Sequence, residues 1–284
     1  MLSDRLKSLA LYPLPQHLIS RVIFFLTRRR TRLKNPAIRW FIRRFKIDMS
    51  EAIEQNIENY PTFNAFFTRA IKPELRPVAR EPEALASPVD GVISQLGDIN
   101  EGRIVQAKGH DYTALELLGG YREWAQAFEG GRFITLYLAP SNYHRIHMPH
   151  DGQLRRMLHV PGRLFSVAPH TVREVPRLFA RNERVAALFE GPCGGFTMVL
   201  VGALNVAAIE TVWHGLVTPP QSRTICHYEY ADKKIVLAKG EEMGRFNMGS
   251  TVILLTPSNL SWEPSLKAGQ AIRLGQKLGT MQKR

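Results

Sequence analysis

From about residue 83 onward the chain consists of short apolar runs cut by glycine, proline and aspartate, and this texture constrains its fold more than any other feature. Val92-Ile93-Ser94, Phe133–Leu138, Thr197–Val201, Lys234–Leu237 and Val252–Leu255 are too short for typical globular helices. Bracketed by turn formers, they predict strands. Within this part only residues 171–187 suggest a helical insertion. Residues before about 80 are helical in character. The expected class is therefore α+β: a mainly antiparallel β domain over 81–284 behind a helical, basic, amphipathic N-terminal module over 1–80. At 284 residues and 44% apolar content the chain can bury a sizeable core, and no internal repeat or low-complexity tract interrupts it.

Charge is segregated within the N-terminal module. Of the formal net charge of +13, residues 1–47 contribute +11 and the remainder only +2; Asp4 is the single acid among twelve Lys and Arg. Leu18, Ile19, Val22, Ile23, Phe25 and Leu26 recur at helical spacing, and Arg28, Arg29, Arg30, Arg32 and Lys34 follow. A second helix is predicted to open at Asn35-Pro36, an N-cap and N1 pair. It sets Ile38, Trp40, Phe41, Ile42 and Phe45 among Arg39, Arg43, Arg44 and Lys46. Large apolar residues with flanking cations suit helices lying in a membrane interface, with guanidiniums on anionic headgroups. The alternative is the same helices packed on their own domain with a solvated basic face. Trp40, Phe41 and Phe45 are too bulky and clustered for a surface that only tracks nucleic-acid phosphates, so nucleic acid is not an expected partner.

No run approaches the ~18 apolar residues of a membrane span. Val22–Leu26 is followed by no small-residue cleavage site. Cys193 and Cys226 are too few for a disulfide framework and fit a reducing compartment, a single bridge between them staying open. Residues 48–80 are expected to continue helical, with Ser50 as a cap and Tyr60-Pro61 as a break.

Chemistry is suggested by Met248-Gly249-Ser250-Thr251, directly before Val252–Leu255. A serine hydroxyl held for attack on the preceding carbonyl can shift the peptide bond from amide to ester. Elimination then leaves dehydroalanine, which hydrolyses to a pyruvoyl group and ammonia. A plain glycine-serine turn entering a buried strand is the alternative. Asp90-Gly91 offers a carboxylate to assist, although Asp-Gly is equally a hairpin signal. His144, His147 and His150 offer imidazoles at a spacing of three. No acid or cysteine joins them within the cluster, and strand-like spacing would splay the rings, so no metal is expected. His150 reads as a solvated loop residue.

Taken together these residues resemble the phosphatidylserine decarboxylases, pyruvoyl-dependent enzymes of phospholipid synthesis. The matching pieces are Gly249-Ser250-Thr251, Ser87-Pro88-Val89-Asp90-Gly91 and the run from Tyr143 to Pro149. Asn64-Ala65-Phe66-Phe67-Thr68-Arg69, Gly162–Val167, Ala180–Arg184 and Val201–Val206 are similar too, in order from about residue 60 to 280. Met248 stands where the family usually has leucine, a swap that conserves volume.

The resemblance implies a zymogen that cuts itself between Gly249 and Ser250. Ser250 would attack, with His147 as its base and Asp90 as the carboxylate orienting that base. Gly249 would supply an unhindered carbonyl. The products would be a β chain, 1–249, and an α chain, 250–284, that begins with the covalent pyruvoyl cofactor and stays docked through Val252–Leu255. The pyruvoyl would form a Schiff base with the amine of phosphatidylserine and accept the electrons released with carbon dioxide, leaving phosphatidylethanolamine. His144 is the implied proton-transfer group, and Ser166 with neighbouring backbone amides is a candidate for holding the headgroup. Implied partners are phosphatidylserine, an anionic membrane surface and the two chains of one precursor, with room for a homodimer of that unit. The implied location is peripheral, on the cytoplasmic face of the cell membrane.

Three other functions compete. A serine hydrolase using the same residues lacks a Gly-x-Ser-x-Gly elbow around Ser250. A membrane- or nucleic-acid-binding module driven by residues 1–47 leaves the body unexplained. A lipoyl-type carrier would need a tighter lysine turn than Asp232-Lys233-Lys234.

Overall fold

Thr251–Thr256 is the strand around which the molecule is organised. All six residues are buried, and the sequence TVILLT shows no polar alternation because both faces of the strand are covered. In the computed structural model, which describes residues 11–107, 109–204, 208–219, 223–247 and 251–283, it lies antiparallel between Arg132–Tyr137 and Gly194–Val201. Those neighbours belong to a sheet of nine strands among the described residues. Its main path runs Cys226–Glu229, Gly152–Val160, Arg184–Gly191, Gly194–Val201, Thr251–Thr256, Arg132–Tyr137, Gly91–Asp98, Ala271–Ile272. A smaller antiparallel sheet joins Gly215–Leu216, Ile209–Thr211, Glu242–Phe246 and Arg145–His147. The α+β class expected from the run lengths is the class observed.

The N-terminal helices, Gln16–Thr27 and Lys34–Phe45, face the body in opposite senses. The second buries Ile38 and Phe41 in a small core with Ile47, Tyr60, Phe66 and Phe67. The first turns Gln16 and Ser20 inward: Gln16 Oε1 accepts from Leu164 N (2.8 Å) and its Nε2 donates to Leu11 O (2.7 Å). Leu18, Val22, Phe25 and Leu26, at spacings of three and four, therefore stand exposed. Trp40 of the second helix is exposed as well. Arg29 covers the Phe25 ring at 4.1 Å.

Several local expectations are corrected. Residues 48–80 are not one helical region; they hold single 3-10 turns at Met49–Glu51, Ile57–Asn59 and Pro73–Leu75 and the short helix Phe63–Phe67. Asp48 and Asn56 take the amides of Ser50 and Glu58 onto their own side chains, which favours a turn over a continuing helix, and Asp48 rather than Ser50 is the cap. The second helix starts at Lys34 instead of after Asn35. Residues 171–187 contain two short helical pieces, Pro169–Glu174 and Leu178–Arg181, before the Arg184 strand begins. Only Val236–Leu237 of the Lys234–Leu237 run is strand, because Lys234 adopts a left-handed conformation (φ 45°). Both cysteines are free thiols.

Candidate active site

Register brings the candidate chemistry-bearing segments of the sequence to one end of the large sheet. Thr251 pairs with Tyr137 on one side and Val201 on the other, and Tyr137 pairs with Val92. Asp90-Gly91 therefore enters its strand, and Gly202 leaves its strand, at the end where Thr251 begins. In the smaller sheet, Phe246 N donates to His144 O (2.9 Å). Both flanks of residues 248–250 are thus fixed against one continuous stretch, Tyr137–His144. Met248, Gly249 and Ser250 themselves lie outside the described residues.

Asp90-Gly91 is not a hairpin turn. The strand that it opens pairs with Arg132–Tyr137 and Ala271–Ile272, not with Ala84–Ala86 just before it. Glycine is required for another reason: a Cβ at 91 would run into the Tyr137 carbonyl oxygen. The buried Asp90 carboxylate is fully engaged. Arg76 Nε donates to Oδ1 (2.9 Å), Arg76 Nη2 to Oδ2 (2.7 Å) and Leu274 N to Oδ1 (2.8 Å). Arg76 also reaches Glu51 Oε2 at 2.8 Å, and the paired carboxylates hold its guanidinium firmly in the charged form.

His147 is oriented by a different group from the one expected. Its Nδ1–H donates to Gly240 O (2.7 Å), so Nε2 carries the lone pair and accepts from the Tyr143 hydroxyl at 3.0 Å. The expected Asp90–His147 hydrogen bond is replaced by these two, because Arg76 draws the carboxylate away. Burial lowers the His147 pKa from the usual range, against the opposing pull of the Gly240 carbonyl and of Glu242 and Asp90. Burial also raises that of Tyr143, which stays protonated and can donate.

His144 is completely buried. Its Nδ1–H donates to Asn142 O (2.8 Å), its ring packs on Phe67 at 4.2 Å between centroids, and its Nε2 has no partner among the described residues. Desolvation pushes its pKa down to about 3, so the ring is a neutral base with a free lone pair. Two further buried oxygens near residues 248–250 lack partners: Thr251 Oγ1, and Oδ1 of Asn64, whose Nδ2 donates to Asn247 Oδ1 (2.8 Å). A site built around a polar group at this strand end fits such a set of orphaned atoms.

His150 is not a solvated loop residue; it is buried beside Phe196, with Nδ1 on Asp151 O. Ser166 is half-buried and accepts from Ala168 N (3.3 Å), in a loop tied down by Asn182, which bonds Phe165 and Gly202. Arg76, Gly240 and Asn247 went unnoticed in the sequence. Arg76 sits in the unremarkable stretch Lys72-Pro73-Glu74-Leu75-Arg76-Pro77, and Gly240 is distant in sequence from the imidazole that it fixes.

A family model described as phosphatidylserine decarboxylase matches residues 63–280, and a second, described as PSD, matches residues 6–46. The chain is 57% identical over 257 residues to a phosphatidylserine decarboxylase proenzyme of Alkalilimnicola ehrlichii, covering 90% of this chain and 89% of that one. It is 52% identical over 279 residues to the protein of the same name from Shewanella baltica, covering 96% of each. The corresponding Pseudomonas fluorescens protein is 50% identical over 282 residues, 98% of each chain.

Proposed function

This chain belongs to the phosphatidylserine decarboxylase family, and we propose on that premise that it cuts itself between Gly249 and Ser250 and then decarboxylates phosphatidylserine to phosphatidylethanolamine. The supporting observation is the strand end itself. Both flanks of residues 248–250 are held against Tyr137–His144, with the unpartnered Nε2 of His144 buried among them.

In the self-cleavage Ser250 Oγ bonds to the Gly249 carbonyl carbon as the C–N bond breaks. The hydroxyl proton passes to His147 Nε2, which first releases the Tyr143 hydroxyl, and from there to the departing Ser250 nitrogen. Elimination of the resulting ester, with the Ser250 Cα proton going to a base, frees the Gly249 carboxylate and cuts the chain, and hydrolysis of the dehydroalanine left behind expels ammonia. Gly240 O, accepting from Nδ1–H, keeps the ring in the tautomer that leaves Nε2 free to act. Asp90 acts on this base through space, favouring the imidazolium, while Arg76 fixes its position. The pyruvoyl group derived from Ser250 supplies an electrophilic carbonyl and a sink for the electrons released with carbon dioxide. His144, neutral and dry, takes the proton that the substrate ammonium must lose and returns it to the carbon that carbon dioxide has left. Its packing on Phe67 keeps the imidazole itself out of water. Ser166, half-buried in a loop that Asn182 ties to Gly202, is the contact we assign to the headgroup.

Residues 1–80 form the membrane-associating part in this reading and 81–284 the catalytic part, cut into chains 1–249 and 250–284. No helix among the described residues is long and apolar enough to cross a membrane. The outward apolar face of Gln16–Thr27 and the hollow lined by Trp40, Arg39, Arg43 and Arg44 suit the surface of an anionic bilayer; the cytoplasmic face of the cell membrane is the location we assign to it.

Intact mass after purification tests the proposal. Two species that divide between residues 249 and 250, the smaller lacking the elements of ammonia and reacting with a carbonyl-trapping reagent, are expected. A single full-length species inert to that reagent would refute it.

A further inference from the structure

We propose that Arg69 holds the phosphodiester of the lipid headgroup, in a cavity of about 230 Å³ that it shares with Lys46, Arg76, Asp90, Tyr143 and Arg273. The inference rests on phosphatidylserine being the substrate.

Arg69 follows the Phe63–Phe67 helix and is only 6% exposed. Its guanidinium lies 5.4 Å from the Phe66 ring centroid, Nη2 reaches Ser141 O only at 3.4 Å, and Nε has no partner among the described residues. The carboxylates nearest in the cavity, Glu51 and Asp90, are both committed to Arg76. A buried guanidinium with an unused Nε and one long hydrogen bond from Nη2 is costly to keep in an empty protein, and an anion arriving with the substrate would satisfy it. A second cavity, of about 410 Å³, contains Arg28, Arg145 and Arg245, but those side chains already face Glu210 and Glu242. Among the described residues no carboxylate pairs directly with Arg69; Glu51 and Asp90 act on it only through space.

The substrate brings two anions, and chemistry chooses between them. Its carboxylate loses charge as carbon dioxide leaves, so a cation upon it would stabilise the ground state more than the transition state and slow the reaction. The phosphodiester keeps its charge throughout, and binding it serves affinity and orientation. Arginine's planar fork matches phosphate oxygens. The cavity reaches Gly91, whose neighbour across the sheet, Tyr137, also pairs with Thr251. A headgroup anchored at Arg69 therefore sits at the strand end where the chemistry is placed. His144 presents a neutral ring packed on Phe67, an apolar surface for the departing carboxylate, although the Arg69 charge is felt at that ring.

The test uses the mature two-chain enzyme with a short-chain phosphatidylserine. Glycerophosphoethanolamine, which has the phosphodiester and amine but no carboxylate, serves as inhibitor. Arg69→Gln is expected to process normally, to raise KM by about tenfold or more with kcat changed less than about threefold, and to lose inhibition by glycerophosphoethanolamine. Arg69→Lys should recover part of both. A fall in kcat at unchanged KM would place Arg69 on the carboxylate or on His144 and overturn the proposal, as would unchanged kinetics. Should Arg69→Gln fail to fold, the exposed rim variants Lys46→Gln and Arg273→Gln decide. Each should raise KM by about two- to fourfold at low salt and by little at high salt, and no change in either would overturn the assignment. Wild-type enzyme that releases no carbon dioxide from phosphatidylserine would instead refute the underlying function.

Discussion

His144 and His147 stand three residues apart, yet their surroundings fit them for different tasks. His147 keeps partners on both nitrogens and hydrogen-bonds the Tyr143 hydroxyl, whereas His144 presents a dry, empty lone pair. Replacing His147 with alanine should leave the chain uncut on a denaturing gel. Replacing His144 with alanine should leave it cut but slow carbon dioxide release by roughly 10²- to 10⁴-fold, the usual worth of a positioned acid-base group. A cut His144→Ala protein with full turnover would remove His144 from the chemistry. The same burial couples His144 to stability. The unfolded imidazole binds a proton near pH 6.5 and the native one only near about 3. Between those values the unfolded chain holds the extra proton, so stability rises with pH there and is lost as pH falls through the window. One such group contributes a slope of up to about 1.4 kcal/mol per pH unit. Urea melts of His144→Gln should show a correspondingly shallower dependence between about pH 6 and 4 than wild type. An identical slope would show that the native ring titrates like an unfolded one.

The Thr251–Thr256 strand carries both the fold and the fate of the C-terminal chain. It lies between two full-length neighbours with every residue buried, so scission at its start cuts no ladder bond within it. Native size-exclusion chromatography should therefore elute the two chains together, and strong denaturant should separate them. Ile253 is fully buried, and Ile253→Ala should cost on the order of 2–5 kcal/mol. It should also lower the denaturant concentration at which chain 250–284 is released; equal midpoints would mean that other contacts hold that chain. This strand was legible in the sequence because a run covered on both faces needs no polar alternation and its apolar residues speak for themselves. Residues 48–80 were not, since Asp48 and Asn56 divert backbone amides into turns that periodicity does not register. At the site, the residues to which chemistry is assigned stand out as motifs, but their pairing does not. Whether Asp90 meets His147 or Arg76 depends on a guanidinium 14 residues away, and the Gly240 contact spans 93 residues. No local pattern encodes either choice.

At the scale of the whole molecule, the segregated charge and the inverted first helix describe one device. Residues 1–47 hold +11 of the net +13, while Leu18, Val22, Phe25 and Leu26 face outward from a helix whose polar Gln16 faces in. Basic residues near an anionic bilayer contribute about 1 kcal/mol each, over a range that shrinks from ~10 Å at 0.1 M salt to ~3 Å at 1 M. The apolar face adds a part that salt does not screen. Flotation with vesicles containing anionic lipid should therefore fall steeply, though not to zero, between about 0.1 and 1 M salt. Phe25→Ser with Leu26→Ser should weaken binding at both concentrations and leave the salt dependence intact. The second helix ties this surface to the chemistry: Phe41 packs into the same small core as Phe67, and Phe67 carries the His144 ring. Docking through Trp40 should consequently shift its fluorescence to the blue on anionic vesicles and set the orientation of the active-site end toward the bilayer. Binding indifferent to salt, with no change in Trp40 emission, would detach the basic segment from the membrane role assigned to it.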